Sequence, residues 1–310
     1  MSRLKVLSIV GPGRSGTTIL ASILGEADGF VTVGELRWLW RRGLLEHRPC
    51  GCGLPPDECP MWSKVVAAAL AGRTETPADL AAAEVELGSR RRRWQAIRSA
   101  GGTGNEWPAL GLTRDVAARL LPAIADATGA RVIVDSSKRA QDAAVLAGLD
   151  GIDHYVLHMV RDPGAVVFSW ARKDRTIRTA GESRPMGTRG LLSAVARWSE
   201  NGLGAEVLRR HIPPQRWLFL RYEDFAAEPK VAVARILDFL GEEVPPPFTD
   251  EHTVVLGRNH TVAGNPNRFR VGPVTIRVDD EWRRRMPRRR QLAVRALTWP
   301  LLLRYRSASR

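Results

Sequence analysis

Several features that define special classes of protein are missing from this chain of 310 residues. The apolar run at residues 6–10 is broken by glycine and proline, so it is too short for the core of a signal peptide. The apolar stretch 296–303 is far shorter than the ~20 residues that span a membrane. That stretch could lie at a membrane surface, although a terminal helix packed on the core is favoured. We therefore expect a soluble, cytoplasmic protein.

Cysteine is scarce, and all three residues fall in one short stretch, at Cys50, Cys52 and Cys59. An odd number of cysteines without an export signal argues against a disulfide framework. A structural zinc site needs four ligands, and the only histidine nearby in sequence is His47. A reduced loop that packs without a metal is therefore favoured, with zinc as the alternative.

Acidic residues are outnumbered, and the formal net charge is +14. Arginine runs at residues 90–93 and 283–290 could face nucleic acid or an anionic membrane. No zinc-finger spacing or aromatic platform accompanies these runs, which weakens the nucleic-acid interpretation. We favour an ordinary solvated surface and expect no nucleic-acid partner.

A hydrophobic content of 44% allows one large domain over residues 1–310. Strand-like runs alternate with helical patterns, which predicts an α/β protein with a central parallel sheet flanked by helices. The predicted strands are residues 6–10, 30–33, 131–135, 154–160 and 217–221. The predicted helices include 36–42, 113–127 with Thr113 as cap, 140–149, one from about 164, and 231–240. Residues 44–115 are less regular and predict an insertion over the substrate site, with a turn at 101–104.

The first predicted strand leads into a glycine-rich loop. Gly11, Gly13 and Gly16 follow the strand, and Thr17 and Thr18 open a helical pattern. A helix N-terminus presents unsatisfied N–H groups, and glycine lets the backbone close around an anion. The stretch predicts a cradle for phosphate or sulfate oxygens, against the alternative of a plain tight turn.

This loop lacks the lysine of a nucleoside triphosphate loop. Gly11 and Gly16 have the required spacing, but Thr17 occupies the lysine position and Arg14 is the only cation. A kinase or NTPase is therefore the less favoured interpretation.

Residues 13–18, Gly-Arg-Ser-Gly-Thr-Thr, resemble the 5′-phosphosulfate loop of bacterial sulfotransferases that use 3′-phosphoadenosine-5′-phosphosulfate (PAPS). In that family a lysine or arginine stands at the position of Arg14. The resemblance implies a P-loop fold like that of nucleotide kinases, PAPS as donor, 3′-phosphoadenosine-5′-phosphate (PAP) as product, and no metal requirement. It also implies that six residues bind the cofactor: Gly13, Arg14, Ser15, Gly16, Thr17 and Thr18.

A second motif supports the resemblance. Arg161 directly follows the predicted strand 154–160 and Ser169 lies eight residues on, the spacing of the family's 3′-phosphate element. Arginine offers phosphate a bidentate fork and serine a neutral donor. The alternative is that Arg161 only caps neighbouring carbonyls.

Two further segments resemble the family's nucleotide site. Tyr222 stands in a Tyr-Glu-Asp segment whose tyrosine lies beside the nucleotide in the family, and its carboxylates are expected to orient loops. Residues 264–270, Gly-Asn-Pro-Asn-Arg-Phe-Arg, resemble the C-terminal loop that closes over the nucleotide in bacterial members, and this closing loop spans about residues 255–275. Asn265 and Arg268 of that loop would then contact the cofactor, with Arg268 on the 3′-phosphate.

Sulfuryl transfer needs charge stabilisation and a general base. Arg14 would hold the leaving phosphate, and Lys138 could reach the sulfuryl oxygens. Glu35 lies in a segment where some family members place a catalytic glutamate, and it is our first choice of base. Asp135 is the second choice.

The sequence thus predicts a PAPS-dependent sulfotransferase acting on a hydroxyl or amine of a small-molecule, glycan or lipid acceptor. A P-loop phosphotransferase and a non-catalytic polyanion-binding protein are the alternatives. The acceptor and the oligomeric state remain open.

Overall fold

A computed structural model describes residues 3–100, 106–172, 176–179, 182–185 and 187–307. The turn expected at 101–104 lies outside these residues. The strands are β1 (Leu4–Val10), β2 (Phe30–Gly34), β3 (Val132–Lys138), β4 (Ile152–Val160), β5 (Thr176–Thr179), β6 (Glu182–Pro185), β7 (Trp217–Arg221), β8 (Thr253–Leu256) and β9 (Gly272–Thr275). The α-helices are α1 (Thr17–Leu24), α2 (Trp62–Leu70), α3 (Pro77–Leu87), α4 (Arg90–Arg98), α5 (Pro108–Thr128), α6 (Ala140–Leu146), α7 (Pro163–Ala171), α8 (Leu191–Arg209), α9 (Tyr222–Ala227), α10 (Pro229–Phe239), α11 (Glu281–Arg285) and α12 (Arg288–Ser307).

The predicted parallel sheet is confirmed. Five strands pair in the order β2-β3-β1-β4-β7, and all four pairings are parallel. Strands β5 with β6 and β8 with β9 form two small antiparallel pairs. Because β1 is central, the loop that follows it lies between the ends of β3 and β4.

The central strand is buried on both faces, as its apolar run predicts. Leu7 and Ile9 join one hydrophobic cluster, while Val6 and Val10 join others. Successive side chains of a strand point to opposite faces, so helices must cover both sides of the sheet. Each of these four side chains is fully buried.

Two of the predicted helices differ in the structure. The helix predicted from Thr113 begins earlier, at Pro108, where proline suits the first turn. Thr113 is no cap, since its hydroxyl donates to the Ala109 carbonyl (2.7 Å) within the helix. After β2 the chain forms a 3₁₀ turn, Leu36–Trp38, and then a π-helix, Leu39–Leu45, instead of an α-helix. π-Helical turns occur often at functional sites.

The terminal helix α12 packs on the core, as favoured from the sequence. Val294 and Tyr305 are buried, and the helix contacts α7 and α8. Within the described residues, no helix has the length and apolar character needed to cross a membrane.

Candidate active site

A cavity of about 880 Å³ opens at the carboxyl ends of the parallel strands. Ligands of open α/β sheets collect at this edge. The loop after β1, the end of β3, the residue after β4 and the first residue of α9 all reach the cavity. From the sequence-predicted set, the lining residues are Gly13, Arg14, Gly16, Thr17, Thr18, Glu35, Lys138, Arg161, Ser169, Tyr222 and Asn265.

The loop after β1 has the backbone of an anion cradle. Gly11 has φ 141°, and a Cβ there would lie 2.0 Å from the Met159 carbonyl oxygen. Gly16 has φ 80° and precedes α1, and in the described part of the chain no side chain caps that helix. The first-turn N–H groups are therefore available to an anion. Arg14 also has a positive φ, 73°, a strained conformation that is common at functional sites.

Arg161 joins the two motifs. Its Nη1 donates to the carbonyl oxygen of Arg14 (3.1 Å), so the residue after β4 contacts the loop after β1. Its Nη2 donates to Asp279 Oδ2 (2.9 Å), and the guanidinium lies 4.2 Å from the ring centre of Tyr222. Ser169 is buried beside them, and within the described residues its hydroxyl has no hydrogen-bond partner. A buried donor of this kind is suited to a ligand oxygen.

The Tyr-Glu-Asp segment orients a loop, as expected from the sequence. Glu223 Oε1 accepts a hydrogen bond from the backbone N–H of Asp162 (2.9 Å). Asp162 in turn caps α7, its side chain accepting from the Gly164 N–H (2.7 Å). The turn that carries Arg161 into the cavity is thereby held from two sides.

Glu35 and Lys138 form a partly buried ion pair at the cavity. Lys138 Nζ donates to Glu35 Oε1 (2.6 Å), and Trp38 Nε1 donates to Glu35 Oε2 (3.1 Å). Burial pushes the pKa of Glu35 upward, but the positive charges of Lys138 and two nearby arginines outweigh burial and lower it. Glu35 is therefore a carboxylate at neutral pH.

Asp135, the second candidate base, lies close by but does not line the cavity. Its Oδ1 accepts from the Ser137 hydroxyl (2.6 Å), the Ser137 N–H (2.9 Å) and the Leu36 N–H (3.3 Å). Burial raises its pKa to about 6, although the bond from Ser137 opposes the rise. These contacts join β3 to the turn after β2.

Two sequence-predicted ligands are not brought to the cavity. Ser15 is fully buried and does not line the cavity. Arg268 is also buried, and its guanidinium donates to the carbonyl oxygens of Pro49, Thr261 and Val262 at 2.7–2.8 Å. Because its donors are engaged by the backbone, Arg268 holds the closing loop and does not face the site.

A sequence model described as the sulfotransferase family matches residues 7–246. The chain belongs to the sulfotransferase family. Its central parallel sheet with flanking helices is the P-loop-like fold of that family, and membership supports sulfuryl transfer as the general activity.

Among solved structures, the sulfotransferase domain from the curacin biosynthetic pathway matches with a TM-score of 0.50 and 16% identity, over 95% of this chain and 98% of that one. The sulfotransferase domain of the Synechococcus PCC 7002 olefin synthase gives 0.45 and 20%, over 94% of each chain. A retinol dehydratase in complex with retinol and PAP gives 0.40 and 14%, over 97% of this chain and 82% of that one. The comparison with curated protein sequences finds no significant match.

Several cavity residues of this sulfotransferase were not predicted. Trp170 lies under Arg14 (4.7 Å from guanidinium carbon to ring centre) and also under Arg189 (4.9 Å). Trp170 directly follows Ser169 in α7, so its position in the sequence indicates that it lies near the cavity. Asp279, which contacts Arg161, lies 118 residues away along the chain and has no local signature.

Three arginines on the remaining walls lie next to carboxylates. Arg139 Nε donates to Asp142 (2.7 Å), and Arg37 Nε lies 3.7 Å from the same carboxylate. Arg93 pairs with Glu200. These carboxylates offset part of the positive charge that the wall arginines carry.

Proposed function

We propose that this protein transfers the sulfuryl group of PAPS to a hydroxyl or amine of a small-molecule, glycan or lipid acceptor. One observation carries the proposal: the loop after β1 and the Arg161–Ser169 element line the same cavity and touch through Arg161 and the Arg14 carbonyl. Two anion-binding elements at one cavity suit a nucleotide with separate 5′ and 3′ phosphates better than a single triphosphate chain.

The first element would hold the 5′-phosphosulfate. The N–H groups at the start of α1 are uncapped among the described residues, and Arg14, Thr17 and Thr18 line the cavity beside them. Arginine stays charged across ordinary pH, so Arg14 would stabilise the leaving phosphate by hydrogen bonds without donating a proton. Fixed donors aimed at developing charge are the main source of catalysis in such group transfers.

The second element would hold the 3′-phosphate. Arg161 and Ser169 offer charged and neutral donors, and Asp279 is the carboxylate now bound to Arg161. A phosphate would compete with Asp279 for this guanidinium, because both are oxyanions that accept from the same N–H groups. Tyr222, stacked with Arg161, and Asn265 on the closing loop would bound the nucleotide on two sides.

Glu35 is the base that this arrangement favours over Asp135. Glu35 lines the cavity as a carboxylate, whereas Asp135 does not line it and one of its oxygens accepts three hydrogen bonds. Its lowered pKa makes Glu35 a weak base, so it would take the acceptor proton late, when transfer is advanced. Lys138 would hold Glu35 in place and lie near the transferring group.

The two alternatives have less support. A kinase loop would need a cation where Thr17 stands. A polyanion-binding surface would use the arginine runs 90–93 and 283–290, and part of their charge is offset, since Arg92 pairs with Glu86 (3.2 Å) and Arg285 with Glu281 (2.6 Å). Both runs thus carry ion pairs to their own surroundings.

The experiment is an acceptor screen with sulfur-labelled PAPS, using phenols, sugars, lipid headgroups and amines in separate pools. We expect label in one pool and PAP released with it in equal amount. Label transferred only from γ-labelled ATP would favour the kinase alternative. Heparin retention that is lost in modest salt, without turnover of either donor, would favour the polyanion-binding alternative.

A further inference from the structure

A cluster of metal-ligating side chains lies apart from the candidate active site. The Sγ atoms of Cys50, Cys52 and Cys59 and a ring nitrogen of His260 all lie within 4.8 Å of one another. None of these four residues lines the cavity. His260 comes from the closing loop, 201 residues after Cys59, so the sequence spacing of the cysteines does not reveal it.

The separations are close to those of a tetrahedral zinc site. With Zn–S bonds of ~2.3 Å and Zn–N bonds of ~2.0 Å, neighbouring ligand atoms lie roughly 3.5–3.8 Å apart. Cys52 Sγ lies 3.7 Å from Cys59 Sγ, and His260 Nδ1 lies 3.2 Å from Cys59 Sγ and 4.0 Å from Cys50 Sγ. The Cys50–Cys52 separation, 2.8 Å, is shorter but well beyond a disulfide bond of ~2.05 Å.

The cysteine loop is shaped to bring its sulfur atoms together. The Cys52 N–H donates to Cys50 Sγ (3.4 Å), and the Gly53 N–H donates to the Cys50 carbonyl (2.9 Å). Gly51 sits against the closing loop, where a Cβ would lie 1.9 Å from Asn259 Oδ1. The amide donor directed at Cys50 Sγ suits a thiolate better than a thiol, because it stabilises negative charge.

The histidine is held from the other side. Trp62, fully buried in α2, donates its Nε1–H to the His260 carbonyl (2.6 Å). The Gly51 N–H donates to the Thr261 carbonyl (2.8 Å), and Arg268 reaches across to the Pro49 carbonyl. Two segments distant in sequence are thus fastened together around the cluster.

We propose that Cys50, Cys52, Cys59 and His260 bind one Zn²⁺ in a closed, structural site. Three thiolates and one imidazole form a complete tetrahedral set of the kind that structural zinc takes, with no position open for a substrate. His47, the histidine nearest in sequence, is not a ligand: it is largely exposed and lies 3.2 Å from Asp57.

The site would also position one wall of the active-site cavity. The closing loop runs on from His260 to Gly264 and Asn265, and both of these line the cavity. A Cβ at Gly264 would lie 3.7 Å from Glu35 Oε1 and 3.8 Å from Thr18 Oγ1. A zinc at the cluster would therefore hold this loop against the cradle. The metal site itself stands whether or not the protein uses PAPS.

The test is the metal content of the untagged wild-type protein after dialysis, measured by elemental mass spectrometry. We expect about one zinc per chain, with all three thiols unreactive until a chelator removes it. His260→Ala and Cys59→Ser should lose the zinc, and the matched control His47→Ala should keep it. Chelation should also speed amide hydrogen exchange at residues 49–62 and 257–268.

Other results would overturn the proposal. Wild-type protein without zinc and with three reactive thiols would show a reduced loop, and a Cys50–Cys52 disulfide or bound iron would show a different chemistry. Because variants can fail to fold, cobalt reconstitution of the wild type provides a second readout. Intense visible bands with thiolate-to-cobalt charge transfer support the tetrahedral site, whereas a weak octahedral spectrum contradicts it.

Discussion

Lys138 Nζ and Glu35 Oε1 lie 2.6 Å apart in a partly buried ion pair, although 103 residues separate them in the chain. Lys138 has φ 73°, so the end of β3 adopts a strained backbone to make this contact. The pair fixes the carboxylate at the cavity and keeps it ionised.

Glu35→Gln should lower the turnover number by a factor of roughly 10²–10⁴ and leave PAP affinity within about threefold of wild type. The amide keeps the shape of the side chain but cannot accept the acceptor's proton. Steady-state kinetics and PAP calorimetry check both parts, with Asp135→Asn as the comparison. If Asp135→Asn is inactive but still binds PAP, while Glu35→Gln remains active, the base is Asp135 on β3. Normal turnover by both variants would indicate an acidic acceptor, such as a phenol.

Arg161→Ala should weaken PAP binding by ~10- to 150-fold, the equivalent of roughly 1.5–3 kcal/mol for a charge-assisted contact. Adenosine 5′-phosphosulfate, which has no 3′-phosphate, should lose much less affinity. Calorimetry with both ligands measures the difference. Equal losses would mean that Arg161 acts only by supporting the Arg14 carbonyl, which it also contacts.

Gly16→Ala should destabilise the fold by more than about 1 kcal/mol and reduce PAP affinity. Its φ is 80°, and the new Cβ would lie 2.7 Å from the Tyr222 ring. Gly72→Ala is the matched control: Gly72 has φ 70°, and no described atom lies within 4 Å of an added Cβ. Thermal and urea unfolding of both variants separates backbone strain from the clash. Unchanged PAP affinity in Gly16→Ala would show that the Tyr222 ring does not bound the nucleotide.

His158 should make the fold sensitive to acid. Burial lowers its pKa to about 3, from a usual value near 6.5, in a site walled by the rings of Trp217, Phe219 and Tyr305. Between these pH values the unfolded chain binds a proton that the native chain does not. The stability that the neutral His158 side chain contributes is therefore complete above about pH 6.5 and is lost as pH falls toward 3.

His158→Phe removes this proton from the unfolded chain. Between about pH 4 and 6, its unfolding free energy should depend on pH less steeply than that of wild type, by about 1.4 kcal/mol per pH unit. Urea unfolding across this range measures the two slopes. Parallel slopes would mean that His158 is already protonated in the folded protein.

The local features of the fold and of the candidate site could be predicted from the sequence. The strand, glycine loop and helix of residues 4–24 are contiguous in the chain. Arg161 directly follows β4 and Ser169 lies in the next helix, α7, so their spacing alone indicates that both face the same cavity. The buried parallel sheet followed from uninterrupted apolar runs, and the structure confirms it.

Long-range contacts could not be predicted in this way. The donors of Arg268 are taken by backbone carbonyls as distant as Pro49, and no motif records such a contact. The same holds for His260, which reaches the cysteines only through folding of the closing loop. The prediction of Thr113 as a cap is wrong for a local reason, since Pro108 is the better start signal for this helix.

Titration calorimetry of PAP and ATP against the same protein preparation tests whether the cavity binds a nucleotide with separate 5′ and 3′ phosphates. We expect PAP to bind much more tightly than ATP, and at about a hundredfold excess over its Kd to stabilise the fold by ~2.7 kcal/mol. Equal affinity for the two nucleotides, or tighter binding of ATP, would mean that the cavity does not recognise a separate 3′-phosphate.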